Sequence, residues 1–502
     1  MLFRSIGLAF SLALAASGTV KLPAILSDHM LIQRDVPVRV WGKADPGESI
    51  NVQFRGRFHA VKANSRGAWE VYLPPTPAGG PHNLAILGQN TISLQDVMVG
   101  DVWIASGQSN MAWTVARSGN AQAELAKALH PSIRLFKVKL KVSSTPLDDV
   151  EGEWTVCSPD TVKDFSAVGY FFARALEDRY KVPMGIVQSA WGGSLADAWV
   201  DRKILDSDPS LKYTLDEWDK LQEAKPKKER EYKAQLRAWE RASRLAKKAG
   251  KEPPKKPAAP GPIPDQWTPG GLYNAMIAPL SPYTLRGVIW YQGESNAIRN
   301  DGARYRHLFE TMVRNWRAVW AQGDFPFLSV QLANFQVEPP LSWAELREAQ
   351  RQTLELKNTA MAVTIDVGNS KDIHPTNKQD VGLRLALAAR AIAYGDNVVY
   401  SGPNARMVTR EEGAARVWFD HIGRGLVARG RELQAFEVAG PDGWFVPGEA
   451  KIDGETVLVT SPQVSEPSAV RYAWAEDPPS TLYNAEGLPA SPFRVAVQSA
   501  GR

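Results

Sequence analysis

Asp101-Val102-Trp103-Ile104-Ala105-Ser106-Gly107-Gln108-Ser109-Asn110-Met111 is the stretch around which the rest of the chain is read. Its first six residues read as a buried strand leaving a core, and the glycine that follows allows a tight turn. A serine delivered by such a turn stands at the mouth of a sheet, where open α/β folds bind their ligands. Rigid support and an exposed hydroxyl suit a nucleophile. The same serine would also serve to cap the next helix, so the choice rests on what else falls at strand ends.

Working outward, apolar runs at 102–105, 133–138, 185–188, 287–291, 327–332 and 361–365 alternate with helical patterns at 121–129, 168–180, 305–320, 343–356 and 378–394. That alternation predicts an α/β fold: a parallel sheet covered on both faces, with right-handed crossovers. On either side the period changes to two. Residues 36–42, 50–54, 58–61 and 69–73 alternate apolar and polar side chains, separated by turns such as Asp45-Pro46-Gly47 and Ser65-Arg66-Gly67. Residues 416–419, 433–438, 444–446 and 456–460 do the same. The predicted organisation is an N-terminal β domain over 19–96, a catalytic domain over 97–397 and a C-terminal β region over 398–502. Both flanking regions are expected to be sandwich-like and to pack together on one side of the catalytic domain.

Composition sets limits on the function class. The chain has 502 residues, 44% hydrophobic and 23% charged, as in an ordinary globular protein. Residues 1–18 read as a secretory signal, with Arg4 before an apolar run from Ile6 to Ala16 that is too short to span a bilayer. The protein is therefore expected to be exported, periplasmic or extracellular, with no membrane association once the signal is removed. The single cysteine, Cys157, allows no internal disulfide. The net charge of +5 is local: residues 221–256 carry 13 Lys or Arg against 5 Asp or Glu, which leaves the remainder acidic. A nucleic-acid surface is not supported outside that segment. It lies within an insert at 203–262, read as a helical excursion that could fold as a hairpin, with a Pro-rich return over 251–264.

Three further stretches fall at predicted strand ends. Ser189-Ala190-Trp191-Gly192-Gly193-Ser194 has two glycines that let backbone N–H groups approach a reacting centre. Trp290-Tyr291-Gln292-Gly293-Glu294-Ser295-Asn296 brings two amides and a carboxylate together, and Gln292 or Asn296 could complete an oxyanion hole. Asp366 to Pro375 contains Asp372-Ile373-His374. Of the 7 histidines, only His374 lies in a loop at a parallel-strand end beside a carboxylate. A serine nucleophile needs such an imidazole, and the imidazole needs an acid to orient it.

Taken in order, Gly107-Gln108-Ser109-Asn110-Met111, the Gly192-Gly193 turn, Trp290 to Asn296 and Asp372-Ile373-His374-Pro375 resemble the sialate O-acetylesterase family of SGNH hydrolases. Leu22 to Met30 and Val99-Gly100-Asp101-Val102-Trp103 resemble the family's opening. Arg471-Tyr472-Ala473-Trp474, Leu482-Tyr483-Asn484 and Gly487 to Phe493 resemble its ending, so the likeness covers nearly the whole chain. It implies a flavodoxin-like catalytic domain that removes O-acetyl groups from acetylated sugars, sialic acid or plant-type glycans, through an acetyl-enzyme. It implies Ser109 as nucleophile, His374 as base, and Ser109 N–H, Gly193 N–H and the Gln292 side chain as oxyanion donors, with Asn296 as a second amide. It implies no metal and no cofactor. In the wider SGNH pattern an aspartate stands three residues before the histidine, but here that residue is Lys371. Asp372 and Glu294 are the alternatives for orienting His374, with Asp372 taken first. Ser194 is a rival nucleophile, since Gly192 to Ala196 approximates a Gly-x-Ser-x-Gly elbow without its last glycine. The competing functions are a non-catalytic carbohydrate-binding protein on a hydrolase scaffold and an esterase of another acyl group.

Overall fold

The computed structural model describes residues 20–337 and 342–498; the expected signal at 1–18 lies outside them. Its strands include Thr91–Gly107 (β1), His130–Lys137 (β2), Trp154–Cys157 (β3), Met184–Ala190 (β4), Gly287–Tyr291 (β5), Phe327–Val330 (β6) and Thr359–Ala362 (β7). Its helices include Ser109–Ala112 (α1), Ala167–Tyr180 (α2), Lys212–Lys248 (α3), Glu294–Ile298 (α4), Gly302–Trp320 (α5), Trp343–Gln352 (α6) and Lys378–Ile392 (α7). The central sheet runs β7-β6-β5-β1-β4-β2-β3. All neighbours pair in parallel except β2 and β3, which are antiparallel. The molecule is thus mixed α/β, with further β-sheets at both ends of the chain.

β1 changes character along its 17 residues. From Thr91 to Met98 burial alternates, and this half pairs mainly with Gly79–Leu87, while the buried Leu31–Gln33 pairs across the junction at Met98–Gly100. From Val99 to Gly107 every residue is buried, as a strand covered on both faces requires. One continuous strand therefore carries the chain from the N-terminal β structure into the parallel sheet. Successive side chains point to opposite faces. Trp103, Ala105 and Ile289 pack with Phe172 of α2 and Leu385 of α7, while Ile104, Val288 and Trp290 pack with Phe309 and Trp316 of α5.

Three outcomes differ from the sequence reading. The insert is not a hairpin but one 37-residue helix, α3, with Pro226 inside it. The run is rich in strong helix formers and offers no glycine before Gly250, so nothing reverses it. The chain returns beside the helix, where Trp239 Nε1 donates to Pro254 O at 2.7 Å. The two flanking β regions do not share a core. The N-terminal strands bury Val40, Val52, Val71 and Ile86 in the cluster on the α5 face. The C-terminal strands bury Val417, Val438, Tyr472 and Phe493 against Met361, Val363 and Ile365 at the β7 edge. Flanking a domain in sequence does not bring two regions together when they attach to different strands. Finally, Leu31–Gln33, Gly79–Leu87 and Asn404–Glu411 are strands that the alternation did not single out. Among the described residues no helix is long and apolar enough to cross a membrane.

Candidate active site

Ser109 leaves the C-terminal end of β1, the middle strand, through a turn that only glycine permits. Gly107 has φ +134°, and a Cβ there would lie 2.1 Å from Tyr291 O. Gln108 then fastens the turn to β5 and α4: its N–H donates to Tyr291 O at 2.9 Å, and its Oε1 accepts from Gly293 and Ser295 N–H. The loop after β7 brings His374 to the same place. Ser109 Oγ lies 2.8 Å from His374 Nε2, across 265 residues of sequence.

The imidazole is held on three sides. Asp372 Oδ1 stands 3.5 Å from Nδ1 and accepts from His374 N–H at 2.9 Å. With a carboxylate beside Nδ1, the ring proton belongs there, which leaves Nε2 as the acceptor for the serine hydroxyl. The Trp113 ring stacks on the imidazole at 4.9 Å and 15°, and the Arg117 guanidinium lies 3.6 Å from the Trp113 centroid. Burial pushes His374 below the usual histidine value; Asp372 draws it back up, while Lys378 and Arg117 add to the lowering. The lowering favours the neutral ring, the form able to take a proton.

The glycine turn after β4 lies against the serine, since a Cβ on Gly192 would sit 3.3 Å from Ser109 Cβ. Both of its carbonyls are engaged, Gly192 O by Gln266 Nε2 and Gly193 O by Trp267 Nε1. The N–H groups of Ser109 and Gly193 have no acceptor among the described residues. Gln292 is used differently from expectation. Its Nε2 donates both to Ser194 O at 3.1 Å and to Asn296 Oδ1 at 2.7 Å, and its Oε1 accepts from Tyr305 at 2.8 Å. An amide has two N–H bonds, so Gln292 keeps none for a ligand. Asn296 Oδ1 accepts from Gln292 and from Ala196 N–H, which leaves Asn296 Nδ2 as the amide donor without an acceptor among the described residues. Ser194 is fully buried and accepts from Trp199 Nε1 at 2.9 Å, with no histidine at hand, so it is no rival to Ser109.

Glu294 does not face His374. It is buried, and its Oε1 accepts from Asn110 Nδ2 at 2.5 Å. Asn110 Nδ2 also reaches Ile373 O at 3.0 Å, and Asn110 Oδ1 accepts from Lys378 Nζ at 2.5 Å. Burial raises the Glu294 carboxyl and lowers the Lys378 amine to about 7. Trp113, Asn110 and Lys378 were not singled out from the sequence. The one cue was position: Asn110 follows the serine, and Lys378 lies four residues after His374, at the start of α7. Beside Gly192 and Ala112 opens a cleft of about 640 Å³, within the range of roughly 300–1,000 Å³ usual for ligand sites. Among the described residues no group of three or more His, Cys, Asp or Glu is placed to hold a metal ion.

Residues 99–236 and 257–393 match the family of carbohydrate esterases described as sialic acid-specific acetylesterases. The sialate O-acetylesterase of Mus musculus is 28% identical over 96% of this chain and 95% of its own length. That of Homo sapiens is 30% identical over 76% of this chain and 73% of its own. Among solved structures, a carbohydrate acetylesterase from Xanthomonas citri is 40% identical, with a TM-score of 0.81 over 96% of this chain and all of that one.

Proposed function

The chain belongs to the carbohydrate esterase family of sialic acid-specific acetylesterases, and from that premise we propose that it removes O-acetyl groups from carbohydrates by a serine mechanism with an acetyl-enzyme intermediate. That it is a carbohydrate O-acetylesterase follows from the family itself. The observation that carries the mechanism is the 2.8 Å approach of Ser109 Oγ to His374 Nε2 at the C-terminal end of the middle strand. This placement also supports reading the catalytic unit as a flavodoxin-like SGNH hydrolase.

In the first half-reaction Ser109 Oγ attacks the acetyl carbonyl carbon and its proton passes to His374 Nε2. Asp372 stabilises the imidazolium and fixes its tautomer. Negative charge on the carbonyl oxygen is met by Ser109 N–H, Gly193 N–H and Asn296 Nδ2, the donors of the site without an acceptor among the described residues. Collapse breaks the bond to the sugar oxygen, which takes the proton from His374. Water then attacks the acetyl carbon, gives its proton to His374, and frees acetate as Ser109 recovers its hydrogen. Acetylated sialic acid, named by the curated relatives, and acetylated plant-type glycans are the substrates proposed. The signal-like first 18 residues support export.

Acetate release from a panel of these glycans tests the proposal. Wild type should release acetate, and Ser109→Ala should lose nearly all of it while still binding glycan. Full release by Ser109→Ala would overturn the serine mechanism.

A further inference from the structure

Asn110, next to Ser109 in sequence, makes three hydrogen bonds that bring a carboxyl, a backbone carbonyl and an amine together. Its Nδ2 donates to the Glu294 carboxyl and to the carbonyl of Ile373, the residue before His374; its Oδ1 accepts from Lys378. All three side chains are buried. Lys378 opens α7, where the helix dipole disfavours a cation, and its Nζ lies 5.3 Å from the Tyr291 ring centroid. A buried amine at a helix N-terminus and a buried carboxyl with one oxygen unpartnered among the described residues are costly to keep. Neither touches His374, and neither is used by the chemical steps above.

A primary amide can sit either way round. Here an acceptor on one side and a donor on the other permit only one orientation, with Nδ2 toward Glu294 and Oδ1 toward Lys378. In that orientation the second N–H of Asn110 reaches Ile373 O. We propose that Glu294, Asn110 and Lys378 form a positioning relay, in which the carboxyl and the amine fix the Asn110 amide so that it ties the His374 loop to the Ser109 turn. The relay rests on the serine–histidine reading and extends it. It gives Glu294 a role other than the direct orientation of the histidine.

The charge neighbours of His374 are Asp372, Lys378 and Arg117, and those of Lys378 are Glu294 and Asp372. Removing the amine therefore lifts a positive charge from the imidazole's surroundings.

The test uses Asn110→Ala, Lys378→Met and the pair Glu294→Gln with Lys378→Met, assayed on an aryl acetate beside Ser109→Ala. A misplacement of about 1 Å costs on the order of 10²-fold, so Asn110→Ala should lower kcat by about that factor with KM little changed. The acid limb of kcat/KM should move to higher pH in Lys378→Met. The paired variant leaves no ionisable side chain beside Asn110, so it should melt above Lys378→Met, yet its kcat should stay low because Asn110 Oδ1 has lost the Lys378 donor that holds it. Wild-type kcat in Asn110→Ala, or recovery of both melting temperature and kcat in the paired variant, would overturn the relay. Failure of the serine mechanism shows differently, as activity surviving in Ser109→Ala.

Discussion

At His374 each neighbour sets a different property of the ring. Ser109 Oγ lies within hydrogen-bond distance of Nε2, Asp372 stands beside Nδ1, Trp113 stacks on the ring face, and burial, with Lys378 and Arg117, disfavours the charged form. A protonated ring cannot serve as base, so activity is lost as pH falls through the histidine's own pKa. Because that pKa is depressed, the acid limb of kcat/KM should lie below the ordinary value of about 6.5; a pH profile with an aryl acetate checks this, and a limb above that value counts against it. The amides give a second prediction. On the proposed mechanism Asn296→Ala removes an oxyanion donor, so it should lower kcat on the order of 10²- to 10³-fold. Gln292→Ala should act through Asn296, so the double variant should lose little more than Asn296→Ala alone, as a kinetic double-mutant cycle would show. Which of these residues the sequence disclosed follows from how they work. Ser109, Gly193 and His374 stand in stretches whose residue types mark them as site candidates. The division of labour between Gln292 and Asn296 depends on which amide hydrogens are already spent, and that is a matter of neighbours such as Ser194 O and Tyr305.

The elements were legible where periodicity was long and uniform. The parallel strands β1, β4 and β5 and the helices α5 and α7 fall where their apolar patterns placed them, because a strand buried on both faces has few residues to choose from. Short edge strands such as Leu31–Gln33 carry too few positions to show a period. The insert helix is the clearest test at this scale. Past Leu215 it is mostly exposed, and Trp239 already touches Pro254. Replacing residues 240–253 by two glycines should therefore leave the thermal midpoint and acetate release unchanged while reducing the helical circular dichroism. Loss of activity in a folded excision variant would mean that this helix takes part in substrate binding.

Across the whole molecule, the site is assembled from parts whose relative placement is set by packing. β1 is shared between the N-terminal β structure and the parallel sheet. At the other edge, the fully buried Arg347 donates to Leu332 O and Ala333 O beside the sheet and to Ala475 O and Glu476 O of the C-terminal region, all within 2.7–2.9 Å. Each buried acceptor left without a donor costs about 1–3 kcal/mol. Arg347→Met should thus lower the thermal midpoint well beyond what a surface Arg→Met does, and calorimetry should show it; an unchanged midpoint would mean that the junction is held otherwise. The sequence by itself determined the α/β class, the order of the strands along the chain and the four stretches that meet at the site, because hydrophobic period and turn chemistry are local. Tertiary structure alone decided that Asp372 rather than Glu294 stands beside the imidazole, that Gln292 is spent on Asn296, and that the two β regions lie on different strands of the sheet. Those outcomes depend on which groups are brought within hydrogen-bond distance across hundreds of residues, and no local pattern encodes a distance.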